Sequence, residues 1–196
     1  MGGTFDPIHK GHLYIADSAL KEYGLDRIWL MPAGDPYFKK DSNVTPAAVR
    51  LELTTECAKQ LGSQYEVSDF EVKKSGSTYT AETLVSLNEL YPEHEFYFIV
   101  GADSLMSLDN WYHPEIILAN AVLLCAGRDN VDIESKSAEL MSKYASSGAD
   151  IRLIHINEMD ISSTEVRSMV RNGEDISAYV TEPVEDFIKE HGLYRS

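Results

Sequence analysis

The chain has little cysteine: two residues in 196, with no Cys-x-x-Cys pair. Cys57 lies in a helical pattern and Cys125 lies in an apolar run far from it. This spacing excludes a disulfide framework and gives no support to a cysteine metal site. We expect both thiols to be buried and reduced, as in a cytoplasmic protein.

Basic residues are also scarce, with 17 Lys and Arg against 32 Asp and Glu, for a formal net charge of −15. This balance argues against nucleic acid or an anionic membrane as a partner, because either would favour a basic face.

The longest mostly apolar run, residues 116–126, is interrupted by Asn120 and is too short to span a bilayer. No charged segment followed by an apolar stretch opens the sequence, so we expect a cytoplasmic protein.

Internal repeats, low-complexity tracts and linker-like breaks in composition are absent from the sequence. We therefore expect one domain over residues 1–196, with a small helical C-terminal part at about 162–196. What the sequence does contain is a regular alternation of apolar runs and helical patterns. Strands are predicted at 28–31, 65–72, 96–100, 121–125 and 151–156, and helices at 11–23, 45–61, 80–91, 133–144, 162–171 and 182–191. This order predicts an α/β fold with a doubly wound parallel sheet and ligands at the carboxyl ends of its strands.

The most informative stretch is Gly-Gly-Thr-Phe-Asp-Pro-Ile-His-Lys-Gly-His at residues 2–12. It places His9 and His12 behind a glycine pair at the expected start of a helix, where amides and close backbone approach favour phosphate. Gly11 between the histidines would leave space for that anion. Two such histidines can also be half of a metal site or a helix cap, but no third ligand is clustered nearby, and we predict no protein-held metal.

A second stretch, Ile-Ser-Ser-Thr-Glu-Val-Arg at residues 161–167, follows an apolar strand pattern. Ser162 and Glu165 fit a capping box, which is typical of an ordinary helix start. The same start offers free amides and hydroxyls at Ser163 and Thr164, with Arg167 one turn later to neutralise charge. This arrangement suits a polyphosphate.

The two stretches together resemble the nucleotidylyltransferase superfamily, through its His-x-Gly-His motif and its ISSTxxR motif in the same order. The resemblance implies a Rossmann-like nucleotidylyltransferase fold with C-terminal helices, and a site for the triphosphate of ATP. One difference is that the family has a short apolar strand before the glycine pair, where this sequence has only Met1. Loss of such an inner strand would leave backbone N–H and C=O groups of the neighbouring strands without hydrogen-bond partners.

The middle of the sequence resembles one family within that superfamily, the nicotinate-nucleotide adenylyltransferases. Residues 75–84, Ser-Gly-Ser-Thr-Tyr-Thr-Ala-Glu-Thr-Leu, are similar to its SGxSYTxDTL run, and Gly101-Ala102-Asp103 followed by Trp111 is similar to its GADxL…W pattern. Taken alone, Trp111 would more often be a core residue, but an indole also offers a stacking surface for a pyridinium ring. Asp103 is interpreted either as a contact to the nucleotide, through sugar hydroxyls or a magnesium water shell, or as a helix cap.

The resemblance implies adenylyl transfer from ATP to nicotinate mononucleotide, with Mg²⁺ accompanying ATP. Three alternatives stay open: nicotinamide mononucleotide or phosphopantetheine as the acceptor, a noncatalytic nucleotide-binding protein, and a homo-oligomeric state.

Lys39 is favoured over Lys40 as a phosphate ligand, Arg50 matches a family position, and Arg128 is either a phosphate ligand or a surface residue. The implied catalytic residues are His9, His12, Lys39 and Arg167. The implied ATP-binding residues are Gly2, Gly3, Thr4, Phe5, Gly101, Asp103, Ile161, Ser162, Ser163 and Thr164. The implied mononucleotide-binding residues are Tyr79, Thr80, Thr83 and Trp111.

Overall fold

The computed structural model describes residues 1–34, 44–74, 76–127, 131–156 and 161–195. Three candidate cations of the sequence analysis, Lys39, Lys40 and Arg128, lie outside these residues.

Six parallel strands form two three-stranded sheets. The strands are β1 (Gly2–Gly3), β2 (Ile28–Pro32), β3 (Tyr65–Val67), β4 (Tyr97–Gly101), β5 (Val122–Gly127) and β6 (Ile151–His155). The hydrogen-bonded orders are β1-β2-β3 and β4-β5-β6, with Gly2 opposite Met31 and Tyr97 opposite Val122. A β-carbon built on Gly2 would lie 3.6 Å from the ring of Phe98, so β1 lies near β4.

The described residues contain eight α-helices, of which the first six lie between strands and the last two follow β6. They are α1 (Lys10–Glu22), α2 (Ala47–Ala58), α3 (Thr80–Leu90), α4 (Ala102–Ser107), α5 (Pro114–Asn120), α6 (Val131–Lys143), α7 (Ser163–Asn172) and α8 (Glu182–His191). Within the described ranges, no helix is long and apolar enough to cross a membrane.

The core has one part on each face of the sheets. Leu124 and Ala126 of β5 pack into a cluster with α1, α2, α7 and α8, whereas Leu123 and Cys125 pack into a cluster with α3, α4, α5 and α6. Successive side chains of a strand point to opposite faces, so this division shows helices on both sides of the parallel sheets. The doubly wound α/β fold predicted from the sequence is confirmed, and both free cysteines are buried as expected.

The predicted elements agree with the structure within a few residues, except at β1, which was not predicted, at the strand predicted for 65–72, which ends at Val67, and between β4 and β5. Here α4, a 3₁₀ turn (Leu108–Asn110) and α5 were not predicted. The N-cap of α2 is Pro46, and the N-cap of α3 is Tyr79.

Candidate active site

The connection from β1 to α1 places the two predicted histidines side by side. His9 is the N-cap of α1, and His12 lies in its first turn. Their ring centroids are 3.7 Å apart, and Phe5 meets the His12 ring edge-on at 5.1 Å. The backbone N–H of His9 donates to Nδ1 of His12 at 3.2 Å. A backbone amide can only donate, so Nδ1 is the acceptor and the ring proton of neutral His12 lies on Nε2.

His9 is buried, with 7% of its surface exposed. Burial lowers the pKa of its imidazole from 6.5 to about 4, and the Glu165 carboxylate offsets part of that shift. Its Nδ1 has no hydrogen-bond partner within the described part of the chain. At neutral pH, His9 is therefore a neutral ring.

The lowered pKa of His9 makes the stability of the protein depend on pH. The unfolded chain takes up this proton near pH 6.5 and the folded chain near pH 4. Between these values the unfolded state binds more protons, so stability is lost as the pH falls. We expect the free energy of unfolding to fall by about 3 kcal/mol more in the wild type than in His9→Asn between pH 7 and pH 4. Urea unfolding of both proteins at several pH values measures this difference, and parallel pH profiles would contradict it.

The second predicted stretch contacts the first one directly. Ser162 is the N-cap of α7, and its Oγ accepts from the amide of Glu165, as predicted. Ser163 Oγ donates to the carbonyl of Pro7 at 3.0 Å, and Arg167 Nη1 donates to the carbonyl of Asp6 at 2.7 Å. The start of α7 is thus attached to the loop that carries His9 and His12.

These contacts correct one part of the sequence interpretation. The Ser163 hydroxyl was expected to be free, but it is occupied by Pro7, and Thr164 Oγ1 accepts from Arg167 Nη2 at 3.2 Å. The start of α7 therefore offers a ligand its first backbone amides. It also offers those N–H groups of the Arg167 guanidinium that are not used in these contacts.

The glycines near the histidines also have a different role from the expected one. Gly11 is buried, and a β-carbon there would lie 2.9 Å from Ile161 and 3.0 Å from the His9 ring. A β-carbon at Gly3 would lie 2.8 Å from the ring of Phe5, which is itself buried. These positions are therefore glycine because protein side chains pack against the backbone, and the space at Gly11 is not open to a phosphate.

A cavity of about 1040 Å³ lies between the two sheets and α3. Gly2, Gly3 and Thr4 form part of its wall, while His9, His12 and α7 lie outside it. The predicted mononucleotide residues are brought together in this wall: Tyr79, Thr80, Thr83 and Trp111. Its wall also includes residues 23–29 and 93–97, which precede or begin β2 and β4, so the cavity runs along the strands, and Thr4 and Ala33 bring it to the carboxyl ends of β1 and β2. A cavity of this size is large enough for a small ligand.

Trp111 forms part of the cavity wall directly after the 3₁₀ turn. Its ring lies edge-on to Phe98 at 6.2 Å. The turn is held to α6 through Asp109, which accepts hydrogen bonds from Lys136 at 2.8 Å, Lys143 at 2.6 Å and Tyr144 at 2.9 Å. Sequence reasoning missed this anchor, because nothing in the local pattern pairs Asp109 with a helix more than 25 residues away.

Glu71 is a second residue of the cavity wall that sequence reasoning missed. It accepts a hydrogen bond from Thr83 Oγ1 at 2.8 Å, and burial raises the pKa of its carboxyl group. The carbonyl of Glu71 would lie 2.3 Å from a β-carbon on Gly34, so the two segments touch. Glu71 falls in the stretch that was predicted as a continuous strand, which ends at Val67.

The remaining candidate residues are placed away from the cavity wall. Arg50 is 1% exposed and donates to backbone carbonyls, so it is not free to bind a phosphate. Gly101 and Asp103 are exposed at the start of α4, and the cap interpretation of Asp103 is wrong because Gly101 is the N-cap. In the described part of the chain, no group of three or more His, Cys, Asp or Glu side chains could hold a metal ion.

Comparison with known proteins gives consistent matches over the whole chain. The family model described as cytidylyltransferase-like matches residues 1–169. The chain is 37% identical to a relative from Lachnoclostridium phytofermentans over 99% of this chain and 96% of the relative. It is 39% identical to one from Dehalococcoides mccartyi over 99% of this chain and 95% of the relative. Both carry the name "Probable nicotinate-nucleotide adenylyltransferase".

A solved structure shows the same fold. It is the nicotinic acid mononucleotide adenylyltransferase of Plasmodium falciparum complexed with APC, with a TM-score of 0.77 and 23% identity, covering 98% of this chain and 94% of the other. The chain therefore belongs to the cytidylyltransferase-like family and, within it, to the nicotinate-nucleotide adenylyltransferases.

Proposed function

We propose that the protein transfers the adenylyl group of ATP to nicotinate mononucleotide, giving nicotinate adenine dinucleotide and pyrophosphate in NAD biosynthesis. The observation that carries this proposal is the junction of the two stretches, where Ser163 and Arg167 of α7 bond to the loop leading to His9 and His12. Identity of 37–39% to relatives named for this activity supports the choice of reaction.

The reaction needs positioning and charge neutralisation more than proton transfer. The phosphate of a mononucleotide is mostly a dianion near pH 7, because its second pKa is about 6, so it attacks the α-phosphorus without a general base. Nε2–H of His12 donates to a phosphate oxygen, since its Nδ1 is occupied by the His9 amide. The neutral His9 ring, the amides of α7 and the Arg167 guanidinium surround the developing charge on the α-phosphate and the pyrophosphate.

Mg²⁺ fits this site as a companion of ATP. The side chains of the histidine loop and α7 that face the phosphates are imidazoles and a guanidinium, not a carboxylate set. The ion would then be held by phosphate oxygens and water. When bound, it would neutralise part of the phosphate charge. Lys39 stays a sequence prediction for the pyrophosphate.

The acceptor belongs in the cavity lined by Tyr79, Thr80 and Trp111. The first amides of α3 carry the positive end of the helix dipole, which favours a carboxylate on the pyridine ring. The face of Trp111 offers a surface for the cationic ring.

One assay tests the proposed function. Purified protein, ATP and Mg²⁺ are mixed with nicotinate mononucleotide, and pyrophosphate release is measured. Parallel reactions with nicotinamide mononucleotide and phosphopantetheine identify the acceptor. Higher kcat/KM with either alternative would contradict the acceptor, and ATP binding without turnover on any of the three would indicate a noncatalytic protein.

Replacing Trp111 with Ala tests the acceptor site. We expect the KM for nicotinate mononucleotide to rise about fivefold or more, because a desolvated cation–π contact contributes about 1 kcal/mol or more. The KM for ATP should change much less. Steady-state kinetics with each substrate varied in turn provide the comparison, and equal increases in both KM values would mean that Trp111 only supports the fold.

A further inference from the structure

The loop between β1 and α1 is held by a residue that no motif singled out. Tyr194 follows α8, and its hydroxyl donates to Asp6 Oδ1 at 2.7 Å across 188 positions of sequence. The other carboxylate oxygen of Asp6 accepts from the amide of Thr45 at 3.2 Å. Asp6 is 4% exposed, so both of these bonds are shielded from water.

The backbone of Tyr194 supports a specific role for this contact. Its φ is +62°, in the left-handed region that a residue with a β-carbon enters at a conformational cost. The chain reaches this conformation after the left-handed Gly192 that ends α8, and the ring packs against the core cluster of α1, α2, α7 and α8. Such strained positions persist where the surrounding contacts define them.

Asp6 connects Tyr194 to the groups that face the phosphates. Its carbonyl accepts from Arg167, and the next carbonyl, that of Pro7, accepts from Ser163. Two residues further on, His9 begins α1. The carboxylate of Asp6 thus holds one side of a short peptide segment while α7 holds the other.

We propose that Tyr194 is a positioning residue for the ATP phosphates, fixing the Asp6 carboxylate and thereby the loop that aligns His9, His12 and Arg167. This inference rests on the proposed function. It assigns a role in ATP binding to a hydroxyl group that itself touches no substrate. The acceptor side, built from α3 and Trp111, is not part of this chain of contacts.

The test is Tyr194→Phe, which keeps the ring and removes only the hydroxyl. We expect the Kd of ATP with Mg²⁺, measured by calorimetry, and the KM for ATP to rise about tenfold, as for the loss of a hydrogen bond to a charged group. The KM for nicotinate mononucleotide should stay within about twofold. An unchanged Kd for ATP, or equal increases in both KM values, would overturn the proposal.

Tyr65→Phe is the matched control. Tyr65 of β3 also donates its hydroxyl to a carboxylate, that of Asp17 on α1, and it does not line the cavity. The control also loses a tyrosine–carboxylate bond, but a more exposed one, because the Asp17 side chain is 42% exposed. It should therefore lower stability in urea unfolding by less than Tyr194→Phe and keep the wild-type Kd for ATP. If the control weakens ATP binding as much as Tyr194→Phe, the effect is general instability and the proposal fails.

Asp6→Ala tests the route, because alanine removes the acceptor of the Tyr194 hydroxyl. If Tyr194 acts through Asp6, the double variant Tyr194→Phe/Asp6→Ala should bind ATP no more weakly than Asp6→Ala alone. Additive losses would overturn the route through Asp6. Wild-type protein that binds ATP but releases no pyrophosphate would refute the proposed function, while the calorimetric comparison would still decide the role of Tyr194.

Discussion

Replacing His12 with Ala lowers kcat by about a hundredfold to a thousandfold, the loss measured elsewhere for one donor to a transition-state oxyanion. The reason is the fixed tautomer. Nδ1 of His12 accepts from the His9 amide, so the ring proton is on Nε2, and Nε2–H is the group that donates to a phosphate oxygen as charge develops on it. Single-turnover and steady-state pyrophosphate release measure the effect.

Asparagine at this position separates the two functions of the ring. His12→Asn keeps an oxygen near the place of Nδ1, which can still accept from the His9 amide and cap α1, but it has no donor at the place of Nε2. We expect His12→Asn to be as inactive as His12→Ala and closer to the wild type in urea unfolding. His191→Ala, on α8, is the control and should keep full activity. Near-normal turnover of His12→Asn would remove His12 from the mechanism.

Replacing Arg50 with Met lowers the free energy of unfolding by about 3–5 kcal/mol, a large share of the 5–15 kcal/mol typical of a folded domain. The Arg50 guanidinium donates to the carbonyls of Thr45 at 2.8 Å, Thr4 at 2.5 Å, Ala33 at 2.6 Å and Gly34 at 3.0 Å. Met fills a similar volume but removes all four of these hydrogen bonds.

Urea unfolding measures this loss, with Arg27→Met as the matched control. Arg27 pairs with Glu66 at the surface, where its side chain is 64% exposed, and such pairs contribute about 0–1 kcal/mol. Arg50→Lys should fall between the two variants, because an ammonium has three donors at one point and cannot reach carbonyls on different sides. If Arg50→Met is within about 1 kcal/mol of the wild type, the carbonyls have found other donors and the buried guanidinium is not essential.

The elements that were predicted well are those with a strong local pattern. The long helices α1 and α8 and the apolar strands β4, β5 and β6 carry their periodicity within the segment, so few tertiary contacts are needed to identify them. The segment between β4 and β5 was missed because α4 has six residues and α5 has seven. A proline at the first position of α5, Pro114, was a usable signal for a helix start.

The charge of a single residue was a poor guide to where that residue lies in the fold. Arg50, in α2, has the sequence context of a surface or phosphate-binding cation, yet it is among the most buried of the described side chains. Asp6 and Tyr194 are equally ordinary in sequence. Their roles depend on partners 39 to 188 positions away, which no local pattern records.

The sequence by itself determined the family of the protein, the order of its longer strands and helices, and the identity of the two stretches that meet at the histidines. These properties follow from hydrophobic periodicity and from residue types that occur together at fixed spacing. Only the tertiary structure decided which polar groups remain available to a ligand. It placed Ser163 on a carbonyl, Arg50 in the core and Ile161 against Gly11, because a hydrogen-bond donor can be occupied and a space can be filled by any part of the chain that folding brings near.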